Sequence, residues 1–403
     1  MNIKFVYADN AATTAVNPKV INKMMPYLTQ HYGNPSSIYK ISEEPRRAIE
    51  EAREIISKSI GASSSKEIFF TASGSEADNW AIKGYAMRMK KLGKNHIITS
   101  SVEHHAVLHT CQYLEKNFGF EITYLPVDKE GRVSISQVEG AIKENTGLVT
   151  IMYANNEVGT IMPIKEIGEV CKKNKIIFHT DAVQALGSVK IDVQKENIDM
   201  MSISGHKIHA PKGVGVLYIR RNLRFDNLIH GGGQENSRRA GTENVANIVA
   251  MGEAVKESYD NFEEKIHYTQ KLRDHLMNKL LEIPAVRLNG SIENRLPGNL
   301  NISIEGIEGE AILLMLDIHG ISASSGSACT SGSLDPSHVL LAMGLPHSIA
   351  HGSLRLSINE LNTQEEIDYI ADCLPSIVED LRNMSPVWDK ENQRMIMEDE
   401  NLL

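Results

Sequence analysis

Between about residues 43 and 220 the apolar positions of the chain switch repeatedly between a helical spacing and short, strand-length runs. Ser42 stands in capping position before Glu43, Glu44 and Pro45, which predicts a helix that stops at Gly61, where a left-handed residue costs little. An apolar run at residues 67–71, a turn of small residues at 73–75 and a helix from Glu76 to near Gly93 follow. Strand-like runs recur at 96–100, 121–125, 148–153, 176–180, 200–204 and 214–219, with helical patterns between most of them. The expected fold class is therefore α/β, a mainly parallel sheet covered by helices on both faces. In such sheets ligands sit at the carboxyl ends of the strands, beside helix N-termini.

After Gly241 the pattern changes to a long helical stretch, 244–281, closed by Ile283 and Pro284. Strands are predicted at 286–288, 300–304 and 354–358, and helices at 309–318, 336–343 and 363–382, the last opened by the capping box Thr363 and Glu366. This part reads as a smaller α+β domain completed by the N-terminal segment. The predicted division is 15–258 for the large domain, and 1–14 with 259–403 for the small one, ending in a charged tail from Ser385 onward.

Composition narrows the function classes. The 403 residues are 41% hydrophobic and 23% charged, an ordinary globular balance. A net charge of −9 without a basic block argues against a nucleic-acid or anionic-membrane surface, and 5% aromatics argues against a base-stacking platform. No apolar run approaches the roughly 20 residues of a membrane span, and the N-terminus meets Asp9 and Asn10 before any secretory core forms, so a soluble cytoplasmic protein is expected. The four cysteines match no zinc or disulfide framework. Cys111, Cys171 and Cys373 fall in helical patterns and read as small core residues.

Candidate chemistry gathers at the predicted strand ends. The run 176–180 ends in Asp181, and the next strand ends in Ser204, Gly205, His206 and Lys207. The spacing from Asp181 to Lys207 is about one αβ unit, so an acid and a lysine emerge on one edge of the sheet. Asp181 taken alone reads as a helix cap or turn residue; together the two either pair with each other or hold a pyridoxal phosphate, the lysine joined to the cofactor and the acid facing its ring nitrogen. The turn TASGSEADN, residues 71–79, puts hydroxyls and a glycine where a phosphate needs a helix N-terminus, and also reads as ordinary capping. His104 or His105 can stack on a ring; His105 with His109, or His206 with His209, has the spacing of a metal pair but no third ligand. Residues 322–333 contain no large apolar side chain, which predicts a flexible loop bearing the thiol of Cys329, either a nucleophile or a linker cysteine. Arg355 interrupts a predicted strand and suits a carboxylate, with a surface arginine as the alternative.

Several stretches together resemble the cysteine desulfurase family, pyridoxal-phosphate enzymes of the class V aminotransferase group. They are ADNAATT (8–14), GNPSS (33–37), NNEVG (155–159), SGHK (204–207), PKGVG (211–215), HGGGQE (230–235) and SGSACTSG (325–332). The resemblance implies a fold type I transferase with Lys207 as the cofactor lysine, Asp181 at the ring nitrogen and His104 stacked on the ring. It further implies Asn156 and Gln184 at the phenolic oxygen, and Gly74, Ser75, Ser204 and His206 at the phosphate. Thr242 would reach the phosphate of a second subunit in a homodimer, Asn34 and Arg355 would bind the carboxylate of L-cysteine, and Cys329 would accept the sulfur as a persulfide, with alanine as product. A resident metal is not implied, although Cys329 could touch an iron-sulfur cluster transiently. The long loop around Cys329 resembles the iron-sulfur assembly branch, with about six extended residues on either side giving the thiol a reach of roughly 20 Å.

The resemblance leaves open a selenocysteine lyase or other class V enzyme, a non-catalytic sulfur carrier, and the identity of the acceptor, whether a cluster scaffold or another protein. The tail MSPVWD (384–389) resembles a scaffold-docking segment, or is the end of a helix with Trp388 packed back. Two stretches depart from the family pattern, Ser73-Gly74-Ser75 at the phosphate turn and Asn359-Glu360 after the arginine strand.

Overall fold

The computed structural model describes residues 5–325 and 336–396. Its longer elements, in chain order, are α1 (Glu43–Ser59), β1 (Ile68–Thr71), α2 (Gly74–Lys90), β2 (His96–Ser100), α3 (His105–Phe118), β3 (Glu121–Leu125), β4 (Thr146–Thr150), α4 (Ile164–Lys173), β5 (Ile177–Asp181), β6 (Met200–Ser204) and β7 (Gly215–Ile219). Then follow α5 (Val245–Tyr259), α6 (Phe262–Leu280), β8 (Val286–Leu288), β9 (Asn299–Ile304), α7 (Gly309–Ile318), β10 (Ser353–Ser357) and α8 (Gln364–Met384).

Strands β1 to β7 form one sheet in the order β1-β7-β6-β5-β4-β2-β3. The inner strands β2, β4, β6 and β7 are buried at every position, which is why they read as continuous apolar runs rather than alternating ones. Strands β6, β5, β4, β2 and β3 pair in parallel, as expected, but β7 runs antiparallel between β6 and β1. The chain folds straight back from β6 through the short turn Gly205–Lys207, and an antiparallel return needs no crossover helix. Consequently β1, β2, β4, β5 and β6 all point their carboxyl ends the same way.

Helix α1 buries Ala48, Ile49, Ala52 and Ile56 along one stripe. It packs on α5 so closely that a Cβ on Gly252 would lie 2.8 Å from the Cα of Ala52. Cys111 and Cys171 are buried in α3 and α4, and Cys373 is half-buried in α8. The second sheet is small and antiparallel, in the order β10-β9-β8. Its core joins Leu300, Ile302, Leu354 and Leu356 to Ile367 and Ile370 of α8 and to Val6 and Ala8 of the N-terminal segment. Val6 and Tyr7 pair in parallel with Ile321 and Ser322.

Three expected boundaries move for identifiable reasons. The stretch 244–281 is two helices, because Asn261 adopts a left-handed conformation (φ 50°) that breaks the α-helical path while the apolar spacing continues on both sides. Ser42 does not cap α1; the single turn Lys40–Ser42 runs straight into the helix and leaves that hydroxyl buried without a hydrogen-bond partner. The helix expected over 336–343 spans His338–Ala342, because Ser337 is its cap. The capping box of Thr363 and Glu366 forms as expected.

Candidate active site

A cavity of about 330 Å³ opens at the carboxyl edge of the large sheet, between it and β10. Gly74, Ser75, His104, Asn156, Asp181, Gln184, Ser204, His206, Lys207 and Arg355 all line it. The residues of the large sheet arrive there because their strands end at this edge, where Asp181 closes β5, Ser204 closes β6 and His104 follows β2, while Arg355 comes from the middle of β10.

Lys207 sits in the turn after β6 and donates to the carbonyls of Ala11 and Ala12, both at 2.6 Å. These belong to the stretch ADNAATT, which straps across the lysine turn. Thr14 donates its backbone N–H (2.9 Å) and its hydroxyl (3.0 Å) to the carbonyl of His206, and Gln184 Nε2 donates to the carbonyl of Ala11 at 3.0 Å. Asn359 ties the same strap: its Nδ2 donates to Asn10 Oδ1 at 2.8 Å and lies 3.2 Å from His209 Nε2. Asn359, the first of the two residues that depart from the family pattern here, is thus an amide clamp on the strap.

Asp181 is buried, and its Oδ1 accepts the N–H of Val183 at 2.9 Å. Burial raises its pKa, while that N–H and the ammonium of Lys207 pull it down. Beside it, Asp78 of α2 is buried with one carboxyl oxygen lacking a hydrogen-bond partner, and burial, then repulsion from Asp181, push its pKa well up. The nearest imidazole, His179, is 3.8 Å away but is held neutral by burial, with a pKa lowered to about 3. Burial thus lifts Asp181 only to about 6 while Asp78 is driven well up, and the Val183 N–H and Lys207 are what hold Asp181 down. His104 caps α3, its Nδ1 accepting the N–H of Ala106 at 3.1 Å, so the neutral ring carries its proton on Nε2. Burial, then Lys207 and His109, lower its pKa. Burial and the neighbouring Lys207 also bring His206 down to about 4.

The N-terminus of α2 supplies an anion-binding end at this edge. Ser73 caps it, its hydroxyl accepting the N–H of Glu76 at 3.1 Å. Gly74 packs against Val183 and Ser204, where a Cβ would lie 2.7 Å and 3.2 Å from their side chains. Glu76 accepts the N–H of Ala72 at 2.9 Å and holds Arg239 through both carboxyl oxygens, at 2.9 and 3.2 Å, which anchors the loop leading to Thr242.

Arg355 is a correction to the surface alternative. It is buried on β10, with Nη1 donating to the carbonyl of Asn156 at 2.9 Å and Nη2 to Asp9 Oδ1 at 3.0 Å. Asn34 and Thr242 do not line the cavity. Asn34 is exposed and accepts the N–H of Ser36 at 2.9 Å, and Thr242 is exposed after Gly241. Cys329 lies outside the described residues. The histidine pair His105 and His109 stacks face to face at 5.0 Å, with His338 4.7 Å from His105, and among the described residues no group of three or more His, Cys, Asp or Glu could hold a metal ion.

Sequence reasoning missed Asp78 and the buried acids Glu103 and Glu157. Burial lifts Glu103 to about 8 and Glu157 to about 7. Asp78 lies inside the phosphate-turn motif and Glu157 inside NNEVG, so position marked both, but nothing in the chain says that their carboxyls are enclosed. The donor set fits pyridoxal 5'-phosphate: an acid for its ring nitrogen, an amine for its carbonyl, an imidazole for its face, and a helix end with hydroxyls for its phosphate.

The family model for Aminotransferase class-V matches residues 6–370, and the fold and donor set define a pyridoxal-phosphate enzyme of that class. Among curated proteins, the cysteine desulfurase IscS of Clostridium botulinum (strain Hall) is 55% identical over 389 residues, covering 96% of this chain and 97% of its own. A solved NifS-like protein superposes with a TM-score of 0.88 at 39% identity, covering 94% of this chain and all of its own. A second, SspA in complex with cysteine, does so with 0.79 at 40%, covering 88% and 99%. The chain belongs to the cysteine desulfurase family.

Proposed function

We infer that this protein takes sulfur from L-cysteine, leaving L-alanine and a persulfide on Cys329. The observation that carries the reading is the meeting of Lys207, Asp181, His104 and Arg355 in one cavity. Bound there, pyridoxal phosphate supplies an electron sink for the bonds at the substrate's Cα and Cβ. Lys207 would hold the cofactor and carry the proton of Cα, and Asp181 would hold a proton on the ring nitrogen. His104 would cover the ring, Asn156 and Gln184 would meet its phenolic oxygen, and Gly74, Ser75, Ser204 and His206 would hold the phosphate. Arg355 would take the substrate carboxylate, and Asn34 would join it only by moving in from its exposed position outside the cavity. The Cys329 thiolate then attacks the substrate sulfur: the S–S bond forms as the C–S bond breaks, its electron pair stays with the carbon fragment, and protonation releases alanine.

The same reading places Thr242 at the phosphate of a second subunit in a homodimer, and divides the chain at 14/15 and 258/259. The core that joins Val6 and Ala8 to residues 272–378 supports that division. It takes the protein to act in the cytoplasm; among the described residues no helix is long and apolar enough to cross a membrane. The persulfide would pass to an iron-sulfur scaffold or another sulfur acceptor. For the tail, Trp388 is buried against Arg382 at 3.9 Å while Met384 and Val387 are exposed, so a docking scaffold would read the latter two.

Purified protein should be yellow, and should produce alanine from L-cysteine. Lys207→Ala should lose alanine production by at least about 1,000-fold, as expected for a covalent-catalysis lysine. Colourless protein that takes up no pyridoxal phosphate would contradict the reading.

A further inference from the structure

The strap ADNAATT meets Lys207 through two small residues, Ala11 and Ala12, whose carbonyls take its ammonium. Ala11 and Lys207 border both the cavity described above and a second one of about 100 Å³, so this stretch runs along open space and depends on hydrogen bonds for its position. Ser357, at the end of β10, holds it twice: its carbonyl accepts Nδ2 of Asn10 at 3.0 Å, and its hydroxyl accepts the N–H of Ala11 at 2.9 Å. Asn359 adds a bridge. Its Nδ2 donates one proton to Asn10 Oδ1 at 2.8 Å and the other to His209 Nε2 at 3.2 Å.

Each direction in this bridge is fixed by a neighbour that can play only one role. Asn359 Oδ1 accepts the N–H of Leu361 at 3.0 Å, so the nitrogen end of the amide is the one turned to the strap. Asn10 gives its Nδ2 to the Ser357 carbonyl, which leaves its Oδ1 for Asn359. His209 Nδ1 lies 2.9 Å from the carbonyl of Ala15, so that nitrogen carries the ring proton and Nε2 accepts. The backbone N–H of His209 also donates to Thr14 Oγ1 at 2.9 Å. One amide nitrogen thereby pins the strap on both sides of Ala11 and Ala12, directly at Asn10 and, through His209, at Thr14 and Ala15. We propose that Asn359 is a positioning residue that holds the strap carbonyls of Ala11 and Ala12 against the nitrogen of Lys207. The proposal rests on the reading of Lys207 as the cofactor lysine. Asn359 does not line the first cavity and acts through the strap.

The test uses protein loaded with pyridoxal phosphate, as parent, Asn359→Ala, His209→Asn and the double variant. Asparagine at 209 suits the left-handed backbone there (φ 65°) and keeps a donor for the Ala15 carbonyl, but offers no ring nitrogen to Asn359. The yellow colour needs a proton on the nitrogen that joins lysine and cofactor, and nearby carbonyl oxygens favour that proton. In Asn359→Ala the pH at which the colour fades should fall by about half a pH unit. Cofactor release on dilution should quicken by about fivefold, the worth of one net hydrogen bond. His209→Asn loses one of the two bonds and should move both readouts the same way by less, about twofold in release. The double variant should match Asn359→Ala, since no bond of the bridge is left to lose. Lys207 also acts on Asp181, His104 and His206, and these stay in place in every variant.

Parent colour and parent release in Asn359→Ala would overturn the proposal. So would a lowered unfolding temperature with both readouts unmoved, or single effects that multiply in the double variant. If Asn359→Ala does not fold, His209→Asn decides alone, and parent values there overturn it. A parent that takes up no pyridoxal phosphate removes the function reading and this proposal together; a parent that loads while the variants match it removes only this one.

Discussion

Arg355 shows how much a single side chain depends on context that the sequence does not carry. In LRLSIN an arginine between leucines reads equally well as a surface residue or a ligand. Its burial, with Nη1 on the Asn156 carbonyl and Nη2 on Asp9, removes the surface reading, because an enclosed guanidinium is held by fixed partners. Lysine cannot reproduce two separated donors in one plane. Arg355→Lys should therefore raise the KM for L-cysteine by about 10- to 100-fold, the range for losing charged hydrogen bonds, and steady-state alanine assays measure it. The placement of Asp181 and Lys207 in one cavity was legible, because strand ends and αβ spacing put both on one edge. Asp78, Glu103 and Glu157 were not, since acids in a sequence carry no mark of enclosure.

Among the elements, strands and helices with a clean period were legible nearly to their ends, as in β2, β3, β6 and α8. What failed was local backbone geometry. Asn261 turns left-handed between two stretches of equal periodicity, and the turn into α1 absorbs Ser42 as a helical residue. Gly215 at the start of β7 is a case where that geometry serves the site. It pairs with Thr71 on one side and Ser204 on the other, and a Cβ there would lie 2.6 Å from the backbone carbon of Ser73. That contact is with backbone, so no side-chain rotation relieves it. Gly215→Ala should push the phosphate turn away from Ser204, weakening pyridoxal phosphate binding by about tenfold and lowering the unfolding midpoint by a few degrees, as overpacking of ~1–3 kcal/mol does in a chain this large. Cofactor titration and thermal unfolding report the two effects separately.

At the scale of the whole molecule, buried acids and imidazoles set a pH dependence of stability. Glu103 ordinarily titrates near 4.5 but stands at about 8 when folded, because burial outweighs the bonds it accepts from Ser100 (2.5 Å) and the Met152 N–H (3.0 Å). The folded state then binds the proton more tightly than the unfolded chain, so this group's contribution is full below about 4.5 and is lost as pH rises toward 8. His179 and His206 have the opposite sign. Their pKa values fall from 6.5 to about 3 and about 4, so their contribution is full above 6.5 and is lost as pH falls through that window. Above pH 6.5 the two histidines add no further change, and the unfolding midpoint should decline up to about pH 8 as the raised acids, Glu103 foremost, lose their contribution. Glu103→Gln keeps the acceptor oxygen without the charge and should flatten that decline; an unchanged slope in differential scanning calorimetry would remove Glu103 as its cause.

These scales meet in one claim, that the chain moves sulfur from cysteine onto its own Cys329. Cofactor-loaded protein mixed with one equivalent of L-cysteine per site, without reductant, tests it directly by counting alanine and weighing the intact chain. The account predicts one alanine per site and a mass gain of one sulfur on the peptide containing Cys329, with neither formed by Cys329→Ser. Alanine released at the parent rate by Cys329→Ser, or sulfur found on Cys111, Cys171 or Cys373 instead, would contradict it.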